Sequence, residues 1–233
     1  MNNAITPALV VIPARGGSKG VKHKNLRQLG GVSLVAHAIR CARFLGGIDR
    51  IVVTTDSKEI ADEAIREGGT VVHRPAELAS DTADVVDAVG HALTALEEDG
   101  YLPSVVVLLE PSCPLRTPAM VNAVLDALRN VDAAFTVSPV PLRFHPAKQF
   151  SVDMEWQAAP ACPDLPPPIR RQDLQGTWIR NGAAYGFRPS VLRAHRSVLG
   201  PSPRAILVEE MLVNIDTEDD LLEADRLYRM SAR

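Results

Sequence analysis

Within 104–110 the chain reads SVVVLLE, apolar without a break from Val105 to Leu109. Such a strand has no polar face to offer water, so both its faces must be covered by other structure. Parallel sheets layered between helices meet that condition, and the flanking sequence supplies the parts. Short β-branched runs at 8–12, 50–55, 70–73 and 133–139 alternate with stretches of helical period at 34–45, 58–67, 84–98 and 118–128. In 84–98 the apolar residues Val85, Val89, Ala92, Leu93 and Leu96 share one helix face, and Gly68 and Gly69 stop the preceding helix. Further on, AAYGF and ILVEEMLVNID read as strands. TEDDLLEADRLYRM reads as a closing helix, with Thr217 as its N-cap and acids in its first turn. The alternation predicts an α/β fold of three layers around a mostly parallel sheet.

The pattern breaks between Pro139 and Trp178. PACPDLPPPIRRQDLQG cannot hold a helix, yet Phe144, Phe150, Trp156 and Trp178 lie in or beside this stretch. A solvated linker would not carry so many aromatics. The expectation is a single domain over 1–233, with 139–178 as an irregular excursion that packs on something else, a second subunit first of all.

Bulk properties exclude several classes. A formal net charge of -3 gives no global pull toward nucleic acid or membrane, so neither is expected as a partner. No apolar run approaches the roughly 20 residues of a membrane span, and MNNAITPALVV lacks the pattern of a signal peptide. Cys41, Cys113 and Cys162 are far apart and form no CxxC, which suits a reducing compartment and gives no zinc site. The histidines show no HExxH or paired spacing. A cytoplasmic location is expected.

The first strand ends in PARGGSKGVKHKN, where bare backbone and cations crowd together. In open α/β sheets ligands bind beyond the carboxyl ends of the strands, so this loop stands where a site belongs. Glycines let successive N–H groups approach an anion, and Arg15, Lys19 and Lys24 add positive charge. The bland alternative is a surface turn with solvated lysines. The loop is neither a P-loop, since Gly20 follows Lys19, nor GxGxxG.

The stretch IPARGGSKGVKHKN resembles the signature of the CMP-sugar synthetases that activate sialic acids and related nine-carbon keto acids, the nonulosonic acids. Further matches follow in order along nearly the whole chain: TTDSKEIADEA, HRPAELASDTA, LEPSCPLRTP, RRQDLQGTWIRNGAAYGF and VNIDTEDDLLEAD. The resemblance implies a Rossmann-like nucleotidyltransferase that makes a CMP-sugar and pyrophosphate from CTP and a 2-keto sugar acid. It implies that Arg15, Lys24 and Asp216 are catalytic. The nucleotide would be held by Ala14, Arg15, Gly16, Gly17, Ser18, Lys19, Lys24 and Asn25, with Arg74 and Ser80 on the cytidine side. It also implies a homodimer built through 139–178.

A guanidinium fork binds a planar carboxylate with two parallel hydrogen bonds, so Arg170 and Arg171, with Gln172 beside them, are candidates for the sugar acid. The plain alternative is a surface ion pair with Asp164 or Asp173. Asn181 and Tyr185 could reach the sugar, although Tyr185 equally suits the core. Asp216, read as the end of the last long strand, can hold Mg²⁺ shared with triphosphate oxygens, with Asn214 as a neutral second ligand. Asp56 is a weaker metal candidate and suits a helix start. For Ser80, capping the next helix is the competing role.

Two positions depart from the family pattern. Relatives often read LQPTSP where this chain has LEPSCP, which places Glu110 where a neutral glutamine meets the sugar. They often read DID where this chain has Asn214, Ile215 and Asp216. These departures leave two rivals open: cytidylyl transfer to another anionic acceptor, such as an eight-carbon keto acid or a phosphonate, and a regulator that binds nucleotide without turnover.

Overall fold

The computed structural model describes residues 7–80, 82–165, 170, 172, 174–210 and 212–231. Its framework is a seven-stranded sheet of β1 (Ala8–Pro13), β4 (Arg50–Thr55), β5 (Thr70–His73), β6 (Val105–Leu108), β7 (Ala133–Pro139), β10 (Trp178–Phe187) and β11 (Arg204–Leu207). The order is β11-β7-β10-β6-β1-β4-β5. Only β10 runs against its neighbours, pairing antiparallel with β6 and β7, while the other pairings are parallel. The mostly parallel α/β expectation holds.

Burial on both faces follows strand by strand. In β1, Val10 and Ile12 enter one apolar layer with Val35 and Ile39 of α1 (Leu34–Arg43), Ile60 of α2 (Lys58–Arg66) and Val121 of α4 (Pro118–Ala127). Leu9 and Val11 enter the opposite layer with Val89 and Leu93 of α3 (Val85–Glu98) and Leu192 of α5 (Pro189–His195). Val105–Leu108 of β6 are at most 1% exposed, which is why that run needs no polar face.

Side-chain oxygens start the helices after the strands. Ser33 accepts from the Ala36 amide, Ser57 from Ile60, Asp84 from Val86 and Thr117 from Met120. Asp84 therefore caps α3 in place of Ser80, and Ser57 caps α2 in place of Asp56. Asp81 lies outside the described residues.

Where the sequence predicts a long strand over 206–216, the structure has only β11. The Val208 amide still bonds to the Val137 carbonyl, 2.8 Å, but the exposed Glu209 and Glu210 follow and the chain leaves the sheet edge. It then crosses toward the end of β6, where the Ile215 amide meets the Ser112 carbonyl at 2.8 Å. Asp216 thus arrives on a crossing segment rather than at a strand end. The final helix, α6 (Glu218–Ser231), starts at Thr217, whose Oγ1 accepts from the Asp220 amide at 3.2 Å. Asp220 in return accepts from the Thr217 amide at 2.8 Å, closing a capping box.

The excursion is more ordered than its composition suggests. It carries a hairpin of β8 (Phe150–Val152) and β9 (Ala158–Pro160), closed by Asp153, whose Oδ1 accepts from the amides of Glu155 and Gln157. Two short strands, β2 (Gln28–Leu29) and β3 (Val32–Ser33), form a further small hairpin. Among the described residues no helix is long and apolar enough to cross a membrane.

Candidate active site

The sheet reverses its order of connection at β1, between β4 and β6, and a pocket of about 440 Å³ opens there beyond the strand ends. Arg15, Lys19, Lys24 and Arg74 line it, with Asp84, Glu110 and Asp216 as its acids. Loops after β1, β5 and β6 thus converge on one cavity with the crossing segment that carries Asp216.

The glycine loop is built into place. Asn25 is 6% exposed, and its Nδ2 donates to the Arg15 carbonyl at 2.9 Å, buckling the loop across its middle. Gly16 lies so near the β4–α2 turn that a Cβ would sit 2.9 Å from the Ser57 Cβ. Its amide donates to Asp56 Oδ1 at 2.9 Å, so Asp56 holds the loop, and neither residue lines the cavity. At Gly20 a Cβ would land on the carbonyl oxygen of Asp216, and only glycine permits that approach. Beneath it, Val21, Leu29, Leu34, Ile215, Leu221 and Ala224 form a small separate core that ties the loop to α6.

This packing sets Lys24 against the crossing segment. Its Nζ donates to the Ile215 carbonyl at 2.8 Å and to Asp216 Oδ1 at 3.0 Å. Across the cavity, Arg15 Nη1 donates to the Ser80 carbonyl at 2.7 Å, bringing the stretches after β1 and β5 together. Arg74 is 9% exposed and donates to the Thr54 carbonyl at 2.9 Å. Burial lowers its pKa from the ordinary guanidinium value, Asp56 works against that, and nearby Arg15 adds to it.

Of the other expected site residues, Ser18, Ser80 and Glu110 line the same pocket, whereas the Ala14 side chain is fully buried and only its backbone borders the loop. Gly17 has open space where a Cβ would stand. Asn181 is 8% exposed: its Oδ1 accepts from Thr136 Oγ1 at 2.6 Å and from the Ala183 amide at 3.1 Å, and its Nδ2 donates to Ser138. These bonds fasten a bulge in β10, where the pairing with β7 shifts between Arg180 and Tyr185. Tyr185 belongs to the core, its ring stacked on Phe135 at 6.5 Å. Asn214 is exposed and its amide packs against Gly182 of the bulge rather than lining the pocket. Arg170 and Gln172 are exposed, and Arg171 lies outside the described residues, as does Asp173.

Glu110 is half-buried, and burial pushes its carboxyl above the usual carboxylate range. Arg116, Lys24 and Arg180 pull it back, while Asp216 adds to the rise. A raised folded value means that above the unfolded value of about 4.3 the folded state keeps a proton the unfolded state has lost. Stability from Glu110 is then complete below that value and falls as pH climbs through the folded one. Glu110→Gln should therefore melt progressively higher than wild type as pH goes from 4 toward 7. A melting gap that stays constant over that range would contradict the assignment.

Sequence reasoning missed Arg116 and the bulge. Arg116 stands in LRTP, where no spacing marks it, and the one local signal for the bulge is Asn181 followed by Gly182, which the structure places at φ 73°.

Comparison with known proteins bears on the family and the fold. A family model described as cytidylyltransferase matches residues 9–161. The CMP-N,N'-diacetyllegionaminic acid synthase of Legionella pneumophila is 30% identical, over 96% of this chain and 97% of its own length. The pseudaminic acid cytidylyltransferase of Campylobacter jejuni is 26% identical, with 96% and 97% covered. Among solved structures, a CMP:2-keto-3-deoxy-manno-octonic acid synthetase complexed with CTP superposes with a TM-score of 0.73 at 18% identity, covering 96% of this chain and 99% of that one. At that identity the likeness is one of fold.

Proposed function

The chain belongs to the cytidylyltransferase family, and we propose that it joins CTP to a nonulosonic acid, giving a CMP-sugar and pyrophosphate. The observation that carries this reading is the convergence of Arg15, Lys19, Lys24 and Arg74 on one pocket at the sheet's switch point, within a region largely spanned by the family match.

In this transfer the acceptor's anomeric hydroxyl attacks the α-phosphorus, its proton leaves, and the bond to pyrophosphate breaks in line. Protein groups contribute alignment and charge neutralisation. Arg15, Lys19 and Lys24 hold the triphosphate and meet the charge growing on the departing pyrophosphate. Arg74, rigid against Thr54, borders the cytidine side, and Asn25 fixes the loop. Glu110 faces the acceptor and favours one that presents an amine or extra hydroxyl donors. Arg170 and Arg171 are the candidates for its carboxylate.

Asp216 fits a magnesium site of the kind this chemistry uses. Mg²⁺ takes one or two carboxylates and completes its shell with phosphate oxygens and water. One exposed carboxylate facing the phosphate pocket, with no cluster of three or more acidic, histidine or cysteine ligands among the described residues, suits a metal that arrives with the nucleotide. Bound there, it would neutralise charge on the triphosphate. Asn214 is at most a neutral neighbour to it.

The excursion supports a homodimer as part of the same reading. Trp156 is 85% exposed and Met154 98%, with Phe144, Phe150 and Trp178 also exposed, an apolar surface that monomers rarely leave bare. Light scattering should give a dimer at assay concentration, and a fully active monomer would contradict it. Buried free thiols at Cys41 and Cys113 suit a reducing, cytoplasmic setting.

The function is tested by pyrophosphate release with CTP, ATP, GTP and UTP against a panel of nine-carbon and eight-carbon keto acids. CTP with a nine-carbon acid should dominate. Equal release from ATP would contradict the nucleotide assignment, and preference for an eight-carbon acid the acceptor.

A further inference from the structure

Arg116 is 5% exposed, yet among the described residues its hydrogen-bond partners are main-chain carbonyls and no carboxylate. Its Nε donates to the Ala183 carbonyl at 2.7 Å, and Nη2 donates to the Glu110 carbonyl and lies 3.5 Å from that of Gly182. Nη1 is buried with no hydrogen-bond partner among the described residues. A buried guanidinium with no carboxylate hydrogen-bonded to it is costly, so a chain that keeps one gains something in return.

Two consequences of the placement stand out. The three carbonyls belong to the end of β6 and to the β10 bulge, so Arg116 clamps the Glu110 backbone to the element against which Asn214 packs. Its charge is also buried, and Arg116 is not among the residues that line the pocket. Glu110 is the acid that benefits. Around it stand Arg116, Lys24, Arg180 and Asp216, with the Tyr185 hydroxyl and the Cys113 thiol close by, and Arg116 is the strongest of the charges favouring its ionised form.

We propose that Arg116 is a positioning residue for the acceptor site: it fixes Glu110 at the pocket rim and supplies the buried positive charge that balances it. The inference rests on the reading of Glu110 as facing the acceptor. It assigns to Arg116 an effect on acceptor recognition that reaches the sugar only through Glu110.

The test is the pH dependence of kcat/KM for the acceptor at saturating CTP, in wild type, Arg116→Met, Glu110→Gln and the double variant. In Arg116→Met the acid limb should move up by about one pH unit or more, the usual reach of a neighbouring opposite charge, and the acceptor KM should rise. In Glu110→Gln the limb should vanish, and adding Arg116→Met should then change neither limb nor KM. Arg116→Lys keeps the charge but loses the fork. It should melt lower than wild type while leaving the limb near its wild-type position, which a purely structural role would not do. Arg116→Gln, neutral but still a donor, reads the same shift if Arg116→Met does not fold. An unmoved limb in the neutral variants, or an equal shift without Glu110, overturns the role of Arg116 alone. A Glu110→Gln enzyme with unchanged acceptor KM and limb overturns the reading of Glu110 and this inference with it.

Discussion

Lys24→Ala and Arg15→Ala are each expected to lower turnover about 10²–10³-fold, the usual cost of removing one group that meets charge developing in the transition state. The fold should survive. Lys24 is paired with Asp216, but the Asp216 side chain is 72% exposed, and ion pairs in that setting add little to stability. The hydrophobic support of the loop, Val21 against Ile215 and Leu221, is untouched by either change. Rate should therefore fall without a matching fall in melting temperature. Near-normal rates in both variants would return the glycine loop to a surface turn with solvated cations.

Asp216→Asn is expected to abolish turnover at ordinary Mg²⁺ while CTP binding through the basic loop partly persists. With a single carboxylate on the crossing segment, metal affinity should depend on the triphosphate, so apo protein should bind Mg²⁺ weakly. In the free protein the Asp216 carboxylate is already taken by the Lys24 ammonium at 3.0 Å, which weakens any claim of a bare cation on it. A Mg²⁺ titration of the rate in wild type and variant, alongside CTP binding by calorimetry, separates loss of metal from loss of nucleotide. Full activity in Asp216→Asn would place the metal elsewhere. Asp56, the weaker candidate, would then be the next to test, although it is bonded to the Gly16 amide and does not line the pocket.

Much of this architecture was legible because its determinants are local. Val105–Leu108 could only be a strand covered on both faces, and the apolar stripe of α3 could only be one face of a helix. The pocket was legible because position after β1, glycines and cations coincide there. What escaped depends on contacts distant in sequence. ILVEEMLVNID has strand composition to its end, yet after Val208 the pull of Ile215 toward Ser112 and the small core under the loop takes 209–210 and 212–216 out of the sheet. The part Asn181 plays in fastening the bulge is hidden because its partners, Thr136 and Ser138, lie on another strand. The β8–β9 hairpin was hidden in a proline-rich stretch, since its turn is made by Asp153 rather than by an Asn-Gly or Gly-Gly pair. Arg116 escaped for the same reason: nothing in LRTP tells that its guanidinium reaches β10.

The most direct measurement of the central claim is ³¹P NMR of the protein with CTP, Mg²⁺ and a nonulosonic acid, followed to completion. The account predicts one equivalent of pyrophosphate for each CTP consumed, a single new phosphodiester resonance from the CMP-sugar, and little of either with Lys24→Ala. CTP that stays intact with every acceptor offered, or that yields a nucleoside diphosphate and inorganic phosphate, would contradict it.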